Sequence, residues 1–343
     1  VINDIRKEIP LYSTPYLAFH AKRQGHEAYL IDVADLSYLS DGKMGGLALK
    51  VPSTQFRSME TMLQALQGAD AVKIPISSDD FDVLFLRNNP SDDIGERGWA
   101  QMAGVEFGQV AEANGKVVVN HPATLAFGIT DKLYFEHFPE AVRPRALITR
   151  DPAQVKKLYD ELGKIVLKPL LGSGGKDVFL IDEEESNLNQ IVETISASGY
   201  VIAQEYLPEA AEGDVRLFLM NGEILLAEGK VAAFKRVNRT EKDFRNNLHA
   251  GGVGERAKIT EVHERIAKIV KPKLVQDGIF LAGLDIVGEK MVEINVLSPG
   301  GLVQAEEFEG VNFALPVLEA LERKVFLKRQ FGDKISNRRL ATL

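Results

Sequence analysis

Residues 281–296, LAGLDIVGEKMVEINV, decide how this chain is read. Two apolar runs flank a Gly-Glu-Lys turn signal, which predicts a β-hairpin. Inside these runs stand Asp285, Glu293 and Asn295, and acidic residues are disfavoured in strands this apolar. A turn at Gly288-Glu289-Lys290 would set Asp285 directly opposite Glu293, and the two-residue period of a strand would add Asn295 to that face. A two-residue loop would instead put the two carboxylates on opposite faces. Two carboxylates and an amide oxygen on one face suit Mg2+, or Mn2+ in its place, because hard cations take oxygen ligands and bridge to substrate phosphates. A solvated strand face is the plainer alternative, and the apolar neighbours weigh against it.

Upstream, Leu167-Lys168-Pro169 ends a strand and runs into Gly172-Ser173-Gly174-Gly175. Glycines let a backbone approach a ligand and aim N–H groups at anionic oxygens, and a strand-end lysine adds a point charge for phosphate. A glycine-rich turn between two strands would look the same. Ala203-Gln204-Glu205-Tyr206-Leu207-Pro208 is a strand-to-loop transition whose exposed backbone can pair with a base edge. In Gly213-Asp214-Val215-Arg216, alternation places Asp214 and Arg216 on one face, where an exposed ion pair and a functional pair are equally open readings. The loop from Lys235-Arg236 through Arg245-Asn246-Asn247 to Gly251-Gly252 is basic and amide-rich, which a solvated surface loop would also explain. Arginine forks suit carboxylate and phosphate.

The rest of the chain sets the frame. Its 343 residues are 45% hydrophobic and 26% charged, which excludes a disordered or collagen-like chain. No apolar run approaches the length of a membrane span. With 41 basic and 49 acidic residues the net charge is −8, which weighs against nucleic-acid binding. The absence of cysteine excludes disulfides, thiolate nucleophiles and Cys-based metal sites. Charges within Val1–Pro10 argue against a signal peptide, so the cytoplasm is the expected compartment. Because the chain opens at Val1 with no strand before Asn3-Asp4, a short upstream segment is expected. Helical spacing over Ser13–Arg23, strand-like Glu27–Ile31 and Phe81–Arg87, a helix over Trp99–Asn114 and the strand Lys116–Asn120 predict an α/β fold that opens with a parallel sheet. The boundaries fall at 1–122, 123–200 and 201–343.

Each motif is weak alone, but their order is specific. Asp131-Lys132-Leu133, Leu167-Lys168-Pro169-Leu170 with its glycines, Gln204-Glu205-Tyr206-Leu207-Pro208, Gly213-Asp214-x-Arg216, Arg245-x-Asn247-Leu248-x-Ala250-Gly251-Gly252, Gly283-Leu284-Asp285-Ile286 and Glu293-Ile294-Asn295-Val296 follow one another. This succession resembles the ATP-grasp superfamily, and within it the bacterial glutathione synthetases, over nearly the whole length. The resemblance implies an ATP-grasp fold with an N-terminal parallel-sheet domain, a small lid and a C-terminal ATP-binding domain. It implies Lys132 and Lys168 on ATP phosphates and a glycine lid at Gly172, Ser173, Gly174 and Gly175. Gln204, Glu205, Tyr206 and Leu207 would surround adenine, with Asp214 beside the nucleotide, and Asp285, Glu293 and Asn295 would hold Mg2+. Arg216, Arg236 and Arg245 would face an acyl phosphate and a dipeptide, with Asn247 among them.

The implied activity is ATP-dependent carboxylate–amine ligation through an acyl phosphate, of γ-glutamylcysteine with glycine as in that family, by a homo-oligomer acting on small molecules. A ligase for another amino acid or peptide pair, or a regulator that keeps ATP but has lost ligation, are the alternatives. The family's Thr-Ser-Pro-Thr reads Leu297-Ser298-Pro299-Gly300 here, and its Arg-Lys-Asp-Pro-Pro reads Arg87-Asn88-Asn89-Pro90-Ser91. Because Gly300-Gly301 directly follows the metal-binding strand, it is expected to border the acceptor site.

Overall fold

The computed structural model describes residues 1–52, 56–127, 131–172, 175–183, 187–238 and 252–343. The N-terminal unit begins with helix α1 (Ser13–Arg23) and carries strands β1 (Tyr29–Leu30), β2 (Leu36–Tyr38), β3 (Met44–Lys50), helix α2 (Met59–Gln67) and β4 (Lys73–Ser77). It continues with β5 (Val83–Phe85), α3 (Ala103–Ala113) and β6 (Val117–Val119). The expected parallel sheet is reduced to the pair β5–β6, joined by the Val1–Ile2 segment, which bonds Ile31 and Val33 on one side and Phe85 and Arg87 on the other. Strands β1 to β4 are antiparallel instead. A tight turn over 39–43 can only reverse the chain, whereas a parallel pair needs a long crossover. Pro75 fits β4 because that strand pairs only with β3 and lies at the sheet edge. The helix expected from Trp99 starts at Ala103, with Trp99 in a preceding 3-10 turn.

Helices α4 (Pro122–Phe127) and α5 (Asp131–Phe135) lead to a small unit. It contains β7 (Ala146–Thr149), α6 (Pro152–Leu162), β8 (Ile165–Pro169), β9 (Phe179–Ile181), α7 (Leu188–Ser196) and β10 (Val201–Glu205). Helix α6 starts where the Asp151 side chain accepts the Ala153 N–H, and stops at Gly163, whose φ of 73° takes the left-handed cap. The strand order β7-β10-β8-β9 is antiparallel throughout. Val155, Leu158, Ile165, Leu167, Val192 and Val201 give this sheet and its two helices their own core. The expected boundary at 200/201 therefore moves: β10 is central to the small sheet, which ends at Glu205.

The last unit is built on β11 (Asp214–Met220), with the short strands β12 (Glu223–Ile224), β13 (Leu226–Ala227) and β14 (Lys230–Val231) after it. Then come β15 (Ala233–Val237), β16 (Val253–Glu255), helix α8 (Glu261–Gln276), β17 (Leu281–Val287) and β18 (Lys290–Asn295). Helices α9 (Leu302–Glu309), α10 (Ala314–Phe331) and α11 (Asn337–Leu340) close the chain. The sheet order is β16-β15-β11-β17-β18. Alternation sorts its two faces. Leu217, Leu219, Ala282, Leu284 and Ile286 share a buried cluster with Ile266, Val270 and Leu274 of α8. The opposite face carries Asp214, Arg216 and Asp285. Among the described residues no helix is long and apolar enough to cross a membrane.

Asn120, at the end of β6, joins the N-terminal unit to this sheet. Its Oδ1 accepts the N–H groups of Phe280 at 2.7 Å and Leu281 at 2.9 Å, and its Nδ2 donates to the carbonyls of Leu281 and Val296. The side chain is 1% exposed, so leucine there would strand four buried polar groups at once. Asn120→Leu is expected to cost about 3 kcal/mol or more, read as a lower urea midpoint.

Candidate active site

Four charged side chains form a buried row across the sheet. Register pairs Arg236 of β15 with Asp214 of β11, and Arg216 of β11 with Asp285 of β17. Arg236 donates from Nε to Asp214 Oδ1 at 2.7 Å and from Nη2 to Asp285 Oδ2 at 2.8 Å. Arg216 grips the same Asp285 in a fork, Nη2 to Oδ2 at 2.9 Å and Nε to Oδ1, while its Nη1 donates to the Gly300 carbonyl at 2.8 Å. Of the two readings open for Asp214 and Arg216, the exposed pair does not hold: both are buried, and each finds its partner on a neighbouring strand. Burial pushes the Asp285 carboxyl up, but the Arg216 and Arg236 charges and hydrogen bonds outweigh it and hold it below its ordinary value. At Asp214 burial wins: with the repulsion of Asp285 it raises that carboxyl against the pull of Arg236. Gly283 makes room for the fork, since a Cβ there would lie 3.1 Å from Arg216 Cδ.

The β17–β18 hairpin reaches the expected pairing by another route. Its loop is the two-residue Gly288-Glu289, with Val287 opposite Lys290 and Ile286 opposite Met291. A regular ladder would then set Asp285 against Val292. The register shifts between Asp285 and Ile286, Val292 is the extra residue, and Glu293 falls opposite Asp285 with Asn295 opposite Gly283. The bulge thus returns both carboxylates to one face. Among the described residues no three His, Asp or Glu side chains are grouped to hold a metal ion, so the expected set rests on two carboxylates and the Asn295 amide. That all-oxygen set fits Mg2+. Glu293 makes no hydrogen bond or ion pair among the described residues, whereas Asp285 is engaged by both arginines.

Next to Glu293 a small crevice is lined by Lys132, Phe135, Glu136, Lys168, Ile202 and Val292. Lys132 donates to the Pro169 carbonyl at 2.6 Å. Burial lowers the Lys168 ammonium, and Glu293, Glu136 and Asp285 pull it back up. Lys132 and Lys168 thus bring two ammonium groups to the crevice, facing Glu136 and Glu293. Gln204 is 5% exposed, and its Nε2 is buried without a hydrogen-bond partner, which suits recognition of a polar base edge. Glu205 accepts the Arg145 N–H at 3.0 Å and the Lys290 ammonium at 3.1 Å, and so ties the small sheet to the hairpin. Lys164 Nζ sits 4.7 Å from the centre of the Tyr206 ring, and Leu207 opens the following 3-10 turn. Gly172 and Gly175 both have positive φ. Ser173, Gly174, Arg245 and Asn247 lie outside the described residues.

Two arginines fix the loop after β18. Arg216 holds the Gly300 carbonyl, and Arg87 Nη2 donates to that of Pro299 at 2.9 Å. Sequence reading did not place Glu136 or Lys290 in the site, and local spacing holds no signal for either; Arg87 entered only through the segment that stands where the family has Arg-Lys-Asp-Pro-Pro.

The folded chain has the architecture of an ATP-grasp ligase. With an ADP- and Mg-bound complex of the ATP-grasp ligase PsnB it superposes at a TM-score of 0.58, with 19% identity, over 94% of this chain and 97% of the other. With the macrocyclase MdnC of Microcystis aeruginosa, bound to its precursor peptide, the score is 0.56 at 13% identity, over 94% and 98%. Residues 131–310 match the family described as prokaryotic glutathione synthetase, ATP-grasp domain. The glutathione synthetase of Synechococcus elongatus is 32% identical over 316 residues, 91% of this chain and 94% of that one. That of Brucella melitensis is 31% identical, over 90% and 92%. The chain belongs to the prokaryotic glutathione synthetase family and is an ATP-dependent ligase.

The φ of Gly301 is +112°, and a Cβ there would lie 2.4 Å from the Phe234 ring, whereas Gly300 faces open space. Gly301→Ala is expected to lower the melting temperature by several degrees, and Gly300→Ala to leave it nearly unchanged, both read by calorimetry.

Proposed function

We propose that the chain condenses γ-glutamylcysteine with glycine at the expense of ATP. One observation carries this reading: buried Arg216 and Arg236 share a sheet face with Asp285 and Glu293, beside Lys132 and Lys168. Phosphoryl transfer needs positioning and charge neutralisation more than covalent help. Lys132 and Lys168 would take the ATP phosphates, and Gln204, Glu205, Tyr206 and Leu207 the adenine end, with Asp214 positioning Arg236. Asp285, Glu293 and Asn295 would hold Mg2+, or Mn2+, which neutralises phosphate charge when bound.

Arg216 and Arg236, released from Asp285, would grip the donor carboxylate, joined by Arg245 and Asn247. A donor carboxylate oxygen attacks the γ-phosphorus and ADP leaves. The acceptor amine then attacks the acyl carbon, and phosphate departs with the bonding electrons. Gly172–Gly175 and the small sheet would exclude water, which would otherwise hydrolyse the acyl phosphate. A cytoplasmic homo-oligomer completes the proposal.

ADP release over a panel of donors and acceptors tests it. Turnover is expected with γ-glutamylcysteine plus glycine; turnover only with another pair would move the enzyme to a different ligation. Glu293→Gln is expected to cut Mg2+-dependent turnover roughly 100-fold or more while the thermal transition stays in place. Asp285→Asn would strand two buried arginines and is expected to cost about 3–5 kcal/mol of stability, read by urea unfolding.

A further inference from the structure

The hydroxyl groups that open α1 are spent away from their own helix. Ser13 and Thr14 are its first two residues, where such side chains ordinarily accept N–H groups of the same turn. Here the N-terminus of α1 has no side-chain cap, and both hydroxyls serve the loop after β18 instead. Ser13 Oγ accepts the Leu302 N–H at 3.1 Å and so caps α9, which has no side-chain cap of its own. Thr14 Oγ1 accepts Arg87 Nε at 3.2 Å, and Arg87 Nη2 donates to the Pro299 carbonyl at 2.9 Å. Both residues are buried, so losing either hydroxyl leaves a donor in the interior without its acceptor. One turn further along α1, Tyr16 donates to Glu306 of α9 and accepts the Phe313 and Ala314 N–H groups at 3.0 and 3.2 Å. The start of α1 therefore holds the loop at both ends, and α9 beyond it.

Between these two grips stands Gly300, whose carbonyl accepts Arg216 Nη1 at 2.8 Å. The same guanidinium carries the fork on Asp285, so the position of that carbonyl helps to set where the fork lies. Gly300 cannot fix its own carbonyl: its backbone is free to turn, and open space lies where a side chain would be. The hold has to come from outside, and Pro299 and Leu302 supply it. We infer that Ser13 and Thr14 are positioning residues for the ligation: they fix the loop from Pro299 to Leu302, and through the Gly300 carbonyl the guanidinium of Arg216. The N-terminal unit thereby acts on the chemistry without touching the reacting atoms. This inference rests on the ligation scheme above, in which Arg216 grips the donor carboxylate. A small misplacement of that group is felt in turnover. It is not felt in ATP affinity, because the groups assigned to the nucleotide stand on other elements that these hydroxyls do not hold.

Steady-state kinetics and hydrogen exchange on the full chain, with Mg2+ and ATP, test it together. Thr14→Val keeps the shape and removes the acceptor, whereas Thr14→Ser keeps the acceptor. Thr14→Val is expected to lower kcat roughly 10- to 100-fold with the KM for ATP unchanged, and Thr14→Ser to restore most of the loss. Ser13→Ala should behave like Thr14→Val, and it decides the matter if Thr14→Val does not fold. Deuterium uptake over residues 297–303, followed by mass spectrometry, should quicken in Thr14→Val and Ser13→Ala but not in Thr14→Ser. Wild-type kcat in both defective variants would overturn the inference, as would a KM for ATP that rises in step or an equal loss in Thr14→Ser. If the wild-type chain releases ADP only with a pair other than γ-glutamylcysteine and glycine, the substrate reading falls, and the same comparison made with that pair decides the positioning role. If it releases ADP with no pair, the ligation scheme falls and the positioning role with it.

Discussion

Asp285 sits where two demands meet. It is a carboxylate 2% exposed, and only the two guanidiniums on either side make its charge tolerable there. The quartet it forms with Asp214, Arg216 and Arg236 is neutral in sum, which is why the face of an otherwise apolar sheet can carry it. The surrounding structure answers to that arrangement. Gly283 lacks a side chain so that Arg216 can lie flat, and the carbonyl of Gly300 completes the Arg216 fork. Both guanidiniums are engaged with this one carboxylate.

The sheet that holds this row is anchored from both sides. Helix α8 fills one face with aliphatic side chains, and Phe218 and Phe234 continue the other face into the cluster with α9 and α10. Asn120 ties the N-terminal unit to the start of β17 and the end of β18. The small sheet is different in kind. It has a core of its own and touches the hairpin through Glu205 and Lys290, with Lys168 and Ile202 turned towards Glu293. A unit with a separate core, joined at its rim by polar contacts, is the sort that moves as a body.

Much of the site was legible because buried charge is conspicuous. Carboxylates in LAGLDIVGEKMVEINV, and a lysine at the end of KIVLKP, stand out against apolar surroundings. The partners of those charges were not legible. Asp214 and Arg216 are two residues apart and share a face, yet each pairs across the sheet, which only tertiary register decides. The antiparallel strands β2 to β4 were missed because MGGLALK and KIPIS carry glycines and a proline where alternation would be sought. The contacts of Arg87 were not legible, since they exist only once Thr14 and Pro299 have been brought to its nitrogens.

The bulge at Val292 has an evolutionary reading. With a two-residue loop, a perfect ladder would turn Glu293 away from Asp285, and the extra residue reverses that. A loop of three residues with no bulge would reach the same pairing, so the sequence has two spellings for one geometry. Insertions at the hairpin tip are therefore survivable when matched by a deletion within the strand. Descendants of such a chain can drift in the length of this turn while the Asp285–Glu293 pairing stays fixed, and an alignment that scores the turn and the strand separately would mistake the compensated change for two independent losses.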